Sequence, residues 1–131
     1  MGDIFVARLR GTDGGVRWAI SIGTSGDDAP STLLVDRAGN LVLAATIGGP
    51  LDDEPAEGGG EALLVSLDPA DNGATRWRKV ISTTGSDYGW DAAIGASGDV
   101  LALFDLGGPY DFGSSLIGPA NPTSVLMKFA P

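Results

Sequence analysis

Arg17-Trp18 recurs as Arg76-Trp77, and the 59-residue offset that superimposes the two pairs then holds without a gap. Ile22 falls on Ile81, Thr24 on Thr83, Gly26 on Gly85, Asp28 on Asp87 and Gly39 on Gly98. Gly48-Gly49-Pro50 falls on Gly107-Gly108-Pro109, and Asp52 on Asp111. Eleven of 37 aligned positions are identical, a gapless set of Gly, Pro and Trp that chance does not readily supply. A chain that repeats itself folds as a unit that buries its apolar face against its own copies. Upstream, Phe5-Val6-Ala7-Arg8-Leu9 is similar to Leu63-Leu64-Val65-Ser66-Leu67, and Val125 to Pro131 is similar to Leu63 to Pro69. The chain therefore divides into repeat one at 3–60, repeat two at 61–123, and the first strand of a third repeat at 124–131.

The strands inside a repeat follow from periodicity. Val16, Trp18, Ile20 and Ile22 alternate with Arg17, Ala19 and Ser21, the pattern of a strand with one apolar face. Thr32 to Val35 and Leu41 to Ala45 are apolar on both faces, as in strands covered on both sides. Asp36-Arg37-Ala38-Gly39-Asn40 joins them as a hairpin, and Ala92 to Phe104 repeats it around Gly95-Ala96-Ser97-Gly98-Asp99. Asp13-Gly14-Gly15 and Asp71-Asn72-Gly73 read as the turns joining the other strands. Glycine is 21 of 131 residues, more than twice the usual share of about 7%, which suits many short strands and tight turns. The expected fold is all-β: small four-stranded sheets stacked face to face, the blades of a β-propeller. A β-helix has much shorter rungs, and a β-sandwich does not demand a gapless self-repeat. Propellers close with about 4 to 8 blades, so a ring would be completed by self-association or by a longer parent chain.

Composition removes whole classes of chemistry. Histidine and cysteine are absent, which excludes disulfides, Cys/His zinc sites, thiol nucleophiles and imidazole bases. Eight basic against 17 acidic residues give a net charge of −9, opposed to nucleic acid and to anionic membrane surfaces. No apolar run is long enough to span a bilayer, and no basic stretch leads into an apolar one, so neither membrane insertion nor a signal peptide is expected.

Several strings resemble the bacterial SBBP-type β-propeller repeat, whose pattern runs roughly D-x-F-V-A-K-L, W, G-G-x-G-D-D, V-D-x-x-G-N-V-Y-V-x-G. They are Asp3 to Leu9, then Trp18, then Gly26-Asp27-Asp28, then Val35 to Ala44. The likeness covers nearly all of residues 3–50; the second copy departs from it at Gly95 and Asp99, where the first has Asp36 and Asn40. The resemblance implies a blade architecture and an exported or cell-surface bacterial protein. By similarity to related propellers, 31–47 supplies the inner pair of a blade and 61–67 with 75–82 its outer pair. Residues 3–9 and 16–22 would be outer strands of the preceding blade, and 91–106 with 124–129 three strands of the following one.

Carboxylates are the only abundant reactive groups. Asp27 and Asp28 are a candidate Ca²⁺ pair, set against a structural turn role that the recurrence of Asp28 as Asp87 favours. Asp52-Asp53-Glu54 is a second acidic turn, and Asp68 to Gly73 fails the EF-hand pattern. Around Asp87 the sialidase Asp-box fails: Gly85 stands where Ser is needed, and Trp90 comes two residues early. Gly58-Gly59-Gly60 lacks a following Lys and reads as a loop, Ser25 and Ser97 lack a base, and Asn121 is followed by Pro122. Trp18 and Trp77 sit on alternating strands and are expected in the core. Trp90, Tyr88, Tyr110 and Asp87 remain as a candidate ligand-binding set, since aromatic rings stack on sugar faces. The structural repeat positions are Trp18, Trp77, Gly26, Gly85, Asp28, Asp87, Gly39 and Gly98. The leading expectation is a non-enzymatic scaffold without cofactor, self-associating through blade faces. A lectin-like module taking a glycan or protein ligand comes second and a carboxylate hydrolase a distant third.

Overall fold

The computed structural model describes residues 2–113, 116–117 and 123–130. Pro131 and the Asn121-Pro122 pair lie outside the described residues. The chain is all-β, with no helix among the described residues. Its strands are β1 (Ile4–Leu9), β2 (Val16–Ile22), β3 (Ala29–Val35), β4 (Leu41–Ile47), β5 (Glu61–Asp68), β6 (Ala74–Ile81), β7 (Tyr88–Ile94), β8 (Val100–Leu106), β9 (Tyr110–Asp111), β10 (Leu116–Ile117) and β11 (Thr123–Phe129).

All pairings between these strands are antiparallel and form a two-stranded sheet β1-β2, a four-stranded sheet β3-β4-β5-β6 and a three-stranded sheet β7-β8-β11. This grouping matches the anticipated division of the strands into sets of two, four and three. The short β9-β10 hairpin was not anticipated. The described residues form stacked sheets and no closed ring.

The four-stranded sheet is the centre of the molecule because both its faces are apolar. Leu43, Ala45, Ile47, Leu63, Val65 and Leu67 point one way and meet Ile4, Val6 and Trp18 of the two-stranded sheet. Val42, Ala44, Ala62 and Leu64 point the other way and meet Ala102, Phe104 and Leu106 of the three-stranded sheet. Each fully buried Leu, Ile or Phe contributes roughly 1.5–3 kcal/mol over leaving it in water. The four- and three-stranded sheets approach most closely along β3, β4 and β7. There Gly89 donates its amide to Thr46 Oγ1 at 3.1 Å, Thr32 Oγ1 donates to Asp91 Oδ1 at 2.7 Å, and Ser31 Oγ donates to the Gly89 carbonyl. A Cβ on Gly89 would stand 2.2 Å from the Ala45 carbonyl oxygen, so this close approach demands glycine.

Register breaks recur at matching places. The β3-β4 pairing skips Ser31 and the β7-β8 pairing skips Trp90, 59 residues later. Likewise β1-β2 skips Arg17 and β5-β6 skips Arg76, again 59 residues apart. An extra residue of this kind bends the strand, sharpens its twist and re-aims a side chain. Trp18 and Trp77 follow the second pair of bulges but end in different surroundings. Trp18 is buried, and its indole Nε1 donates to the Pro69 carbonyl at 3.0 Å. Trp77, expected in the core, is 37% exposed on β6, because it borders an open depression with Phe129 and Ala130, whereas Trp18 packs into the cluster against the four-stranded sheet.

Candidate functional site

The residues shared at the 59-residue offset gather in a hydrogen-bonded clamp that occurs twice. Asp28 leads into β3, and its carboxylate is buried beneath the loop that follows β2. It accepts the Thr24 amide at 2.7 Å, the Thr24 hydroxyl at 2.7 Å and the Gly48 amide at 3.0 Å. Thr24 Oγ1 in turn accepts the Gly26 amide at 3.2 Å. Asp87 repeats each bond, from the Thr83 amide at 2.6 Å, the Thr83 hydroxyl at 2.9 Å and the Gly107 amide at 2.9 Å. Thr83 Oγ1 accepts the Gly85 amide at 3.2 Å. The two backbone segments touch: a Cβ on Gly26 would lie 2.1 Å from the Gly48 oxygen, and one on Gly85 would lie 2.3 Å from the Gly107 carbonyl. The clamp thus ties the start of the β3-β4 and β7-β8 hairpins to their ends, and Thr, Gly, Asp and Gly each serve it by a hydrogen bond or a close approach.

This geometry decides several candidates. Asp87 is fully buried with both oxygens engaged by the clamp, so its carboxylate presents nothing to a ligand. Asp28 stands the same way. Asp27 beside it is on the surface, where the Gly2 amide donates to it at 3.0 Å and holds its carboxyl below the usual range. Among the described residues no three acidic side chains converge as metal ligands. Asp52 forms an ion pair with Arg78, and Gly58 of the glycine run donates its amide to Glu61 Oε1 at 3.1 Å.

The hairpin turns carry a second carboxylate device, with Gly39 and Gly98 both at φ 89°. In the first turn Asp36 accepts the amides of Ala38 and Asn40 and the Asn40 side chain, each at 2.8 Å. Partial burial pushes the Asp36 carboxyl up, but these bonds more than offset it and hold it below its ordinary value. In the second turn the acid has moved to the last position. Asp99 takes Lys128 Nζ of β11 at 2.8 Å and the Ser97 hydroxyl, and the lysine is the larger cause of its lowered pKa.

The aromatic candidates separate into two groups. Tyr88 and Trp90 lie on β7, both well exposed, with ring centroids 5.9 Å apart and planes tilted by 31°. Trp90 is the bulged residue of β7, at the unpaired edge of the three-stranded sheet. Asp91 next to it is held low by the Thr32 hydroxyl and then by the Ala92 amide. Tyr110 of β9 instead stacks edge-on with Phe112, centroids 4.8 Å apart. That pair borders a cleft of about 480 Å³ whose other walls include Lys79, Met127 and Phe129. Sequence reasoning missed this cleft because three separate strands build it.

Apolar blade faces were expected from the sequence, but without the residues that form them. Beyond the three-stranded sheet, Ala93, Leu101, Leu103 and Leu126 border an apolar depression of about 350 Å³. Beyond the two-stranded sheet, Phe5, Ala7 and Leu9 are exposed. Their signal was present in the pattern, since Leu101, Leu103, Leu126, Phe5, Ala7 and Leu9 correspond to Val42, Ala44, Leu64, Leu63, Val65 and Leu67, all buried in the four-stranded sheet. No protein-family model matches the chain, and no curated protein matches it.

Proposed function

We propose that the chain is a non-enzymatic scaffold of β-propeller type, built to stack blades rather than to turn over a substrate. The observation that carries this reading is the pair of clamps around Asp28 and Asp87, which engages the shared Thr and Asp side chains in internal bonds. The blade reading is supported by the β3-β4-β5-β6 order, by bulges at equivalent positions, and by sheets that converge along β3, β4 and β7 as wedges around an axis would. With neither histidine nor cysteine in the chain, catalysis would fall to its carboxylates, and two of the buried ones, Asp28 and Asp87, are engaged by the clamps. Similarity to SBBP-type repeats adds an exported or surface location to the proposal.

A second reading, a lectin-like module, has one specific observation in its favour, the exposed Tyr88–Trp90 pair on an unpaired strand edge. Paired rings of this kind offer an apolar platform to a sugar face. A glycan array separates the two. The scaffold reading expects no reproducible binding; binding that Trp90→Ala abolishes would replace it with the lectin.

A further inference from the structure

We infer that this chain docks head to tail on a second copy of itself, the outer face of its three-stranded sheet covering the outer face of the copy's two-stranded sheet. The inference rests on the blade reading for the equivalence of the sheets, and the interfaces inside the chain supply its template.

Leu101 and Leu103 correspond to Val42 and Ala44, 59 residues earlier, and Leu126 corresponds to Leu64. Val42, Ala44 and Leu64 are at most 1% exposed because the next sheet covers them. Leu103 and Leu126 have no such cover and are 38% and 68% exposed. At the other end Phe5, Ala7 and Leu9 correspond to Leu63, Val65 and Leu67, which are buried against the preceding sheet. Phe5 and Leu9 are 70% and 55% exposed. Each end therefore displays half of an interface that the molecule already makes internally, and the halves are of opposite kind.

Charge points the same way. The β1-β2 hairpin, residues 4–22, carries Arg8, Arg10 and Arg17 against Asp13, a surplus of two positive charges in a chain of net −9. The three-stranded sheet, residues 88–106 and 123–129, carries Asp91, Asp99 and Asp105 against Lys128, a surplus of two negative charges. Opposite fields favour the unlike faces and disfavour like on like. An interface between unlike faces repeats from copy to copy, so it closes a ring or extends a filament.

The test is complementation. Light scattering after gel filtration is expected to find the wild-type chain larger than a monomer. Phe5→Glu and Leu126→Glu are each expected to be monomeric, with the β-sheet circular dichroism of the wild type, because both side chains are exposed. Mixing the two variants is expected to restore a dimer that grows no further, since each retains the one intact face the other lacks. Ala7→Glu and Leu103→Glu serve the same ends should either first choice fail to fold. A folded wild-type monomer at high micromolar concentration would overturn the docking while leaving the scaffold reading, which the glycan array tests separately. Assembly that survives Phe5→Glu, or a mixture that stays monomeric, would overturn it as well by pointing to like-on-like pairing or to another surface.

Discussion

Asp87 illustrates how a residue can be repeated, polar and near an aromatic pair without being a ligand group. Its three bonds come from a buried threonine and a glycine amide, and the side chain is fully buried. Replacing it by alanine leaves three donors without a partner in a place that water does not reach. Bonds to a charged acceptor contribute roughly 1.5–3 kcal/mol each and are not additive, so Asp87→Ala is expected to cost about 3 kcal/mol or more in urea unfolding. Asp28→Ala should act alike, since its bonds match one for one. A loss below about 0.5 kcal/mol, the scale of an ordinary surface change, would contradict the clamp. Asp99 works through charge and responds to pH. Lys128 first and Ser97 second hold its folded pKa below the ordinary carboxyl value of 3.8. A carboxyl depressed on folding contributes stability that is fully present above its unfolded value and lost as pH falls through the folded one. Asp99→Asn is therefore expected to destabilise the chain near neutral pH, and the gap in melting temperature should close as pH drops below 3.8. A gap that stays constant with pH would leave the ion pair no part in stability.

Strands were more legible than the places where they bend. The double-faced apolar run at Leu41 to Ala45 announced a strand covered on both sides, and β4 is that strand. Thr32 to Val35, expected to be covered likewise, lies in β3, where Leu33 and Val35 are 51% and 65% exposed because the two-stranded sheet packs on β4 and β5 and not over this edge strand. The bulges at Ser31, Trp90, Arg17 and Arg76 were not legible, because an extra residue in one strand shows only once its partner is known. The same limit applied to the candidate site. Tyr88 and Trp90 lie two apart in one strand and could be grouped from sequence, whereas the cleft beside Tyr110 and Phe112 needs walls from β6 and β11 that no local spacing brings together. The recurring Trp of the two copies differed for a similar reason: Trp18 packs against the four-stranded sheet and bonds to Pro69, but Trp77 borders an open depression beside Phe129. Gly89 puts the element scale to a direct test. A methyl group there would meet the Ala45 carbonyl oxygen at 2.2 Å and push β7 away from β4. Overpacking of this kind costs roughly 1–3 kcal/mol, and Gly89→Ala should show it as a lower urea midpoint. It should also weaken the Thr32–Asp91 bond, which spans the same gap. Unchanged stability would mean that the two sheets slide past one another freely.

At the scale of the molecule the three main sheets form a short linear stack, and a stack loses order from its ends. Only the four-stranded sheet is buried on both faces; the two-stranded and three-stranded sheets each touch it through one. In such arrays each unit is stabilised by its neighbours, so an end unit opens at lower free energy than the middle one. Native-state hydrogen exchange is accordingly expected to be slowest for β4 and β5, faster for β8, and fastest among the main strands for β1 and β2, which pair only with each other. The ordering also reads out assembly. If the outer faces dock on another copy, raising the protein concentration should slow exchange in β1 and β11 and leave β4 and β5 unchanged, because only the ends gain a neighbour. Equal protection of β1 and β5 in a chain shown to be monomeric would mean that the molecule unfolds as one indivisible unit. The picture of sheets held up by their neighbours would then be wrong for this chain.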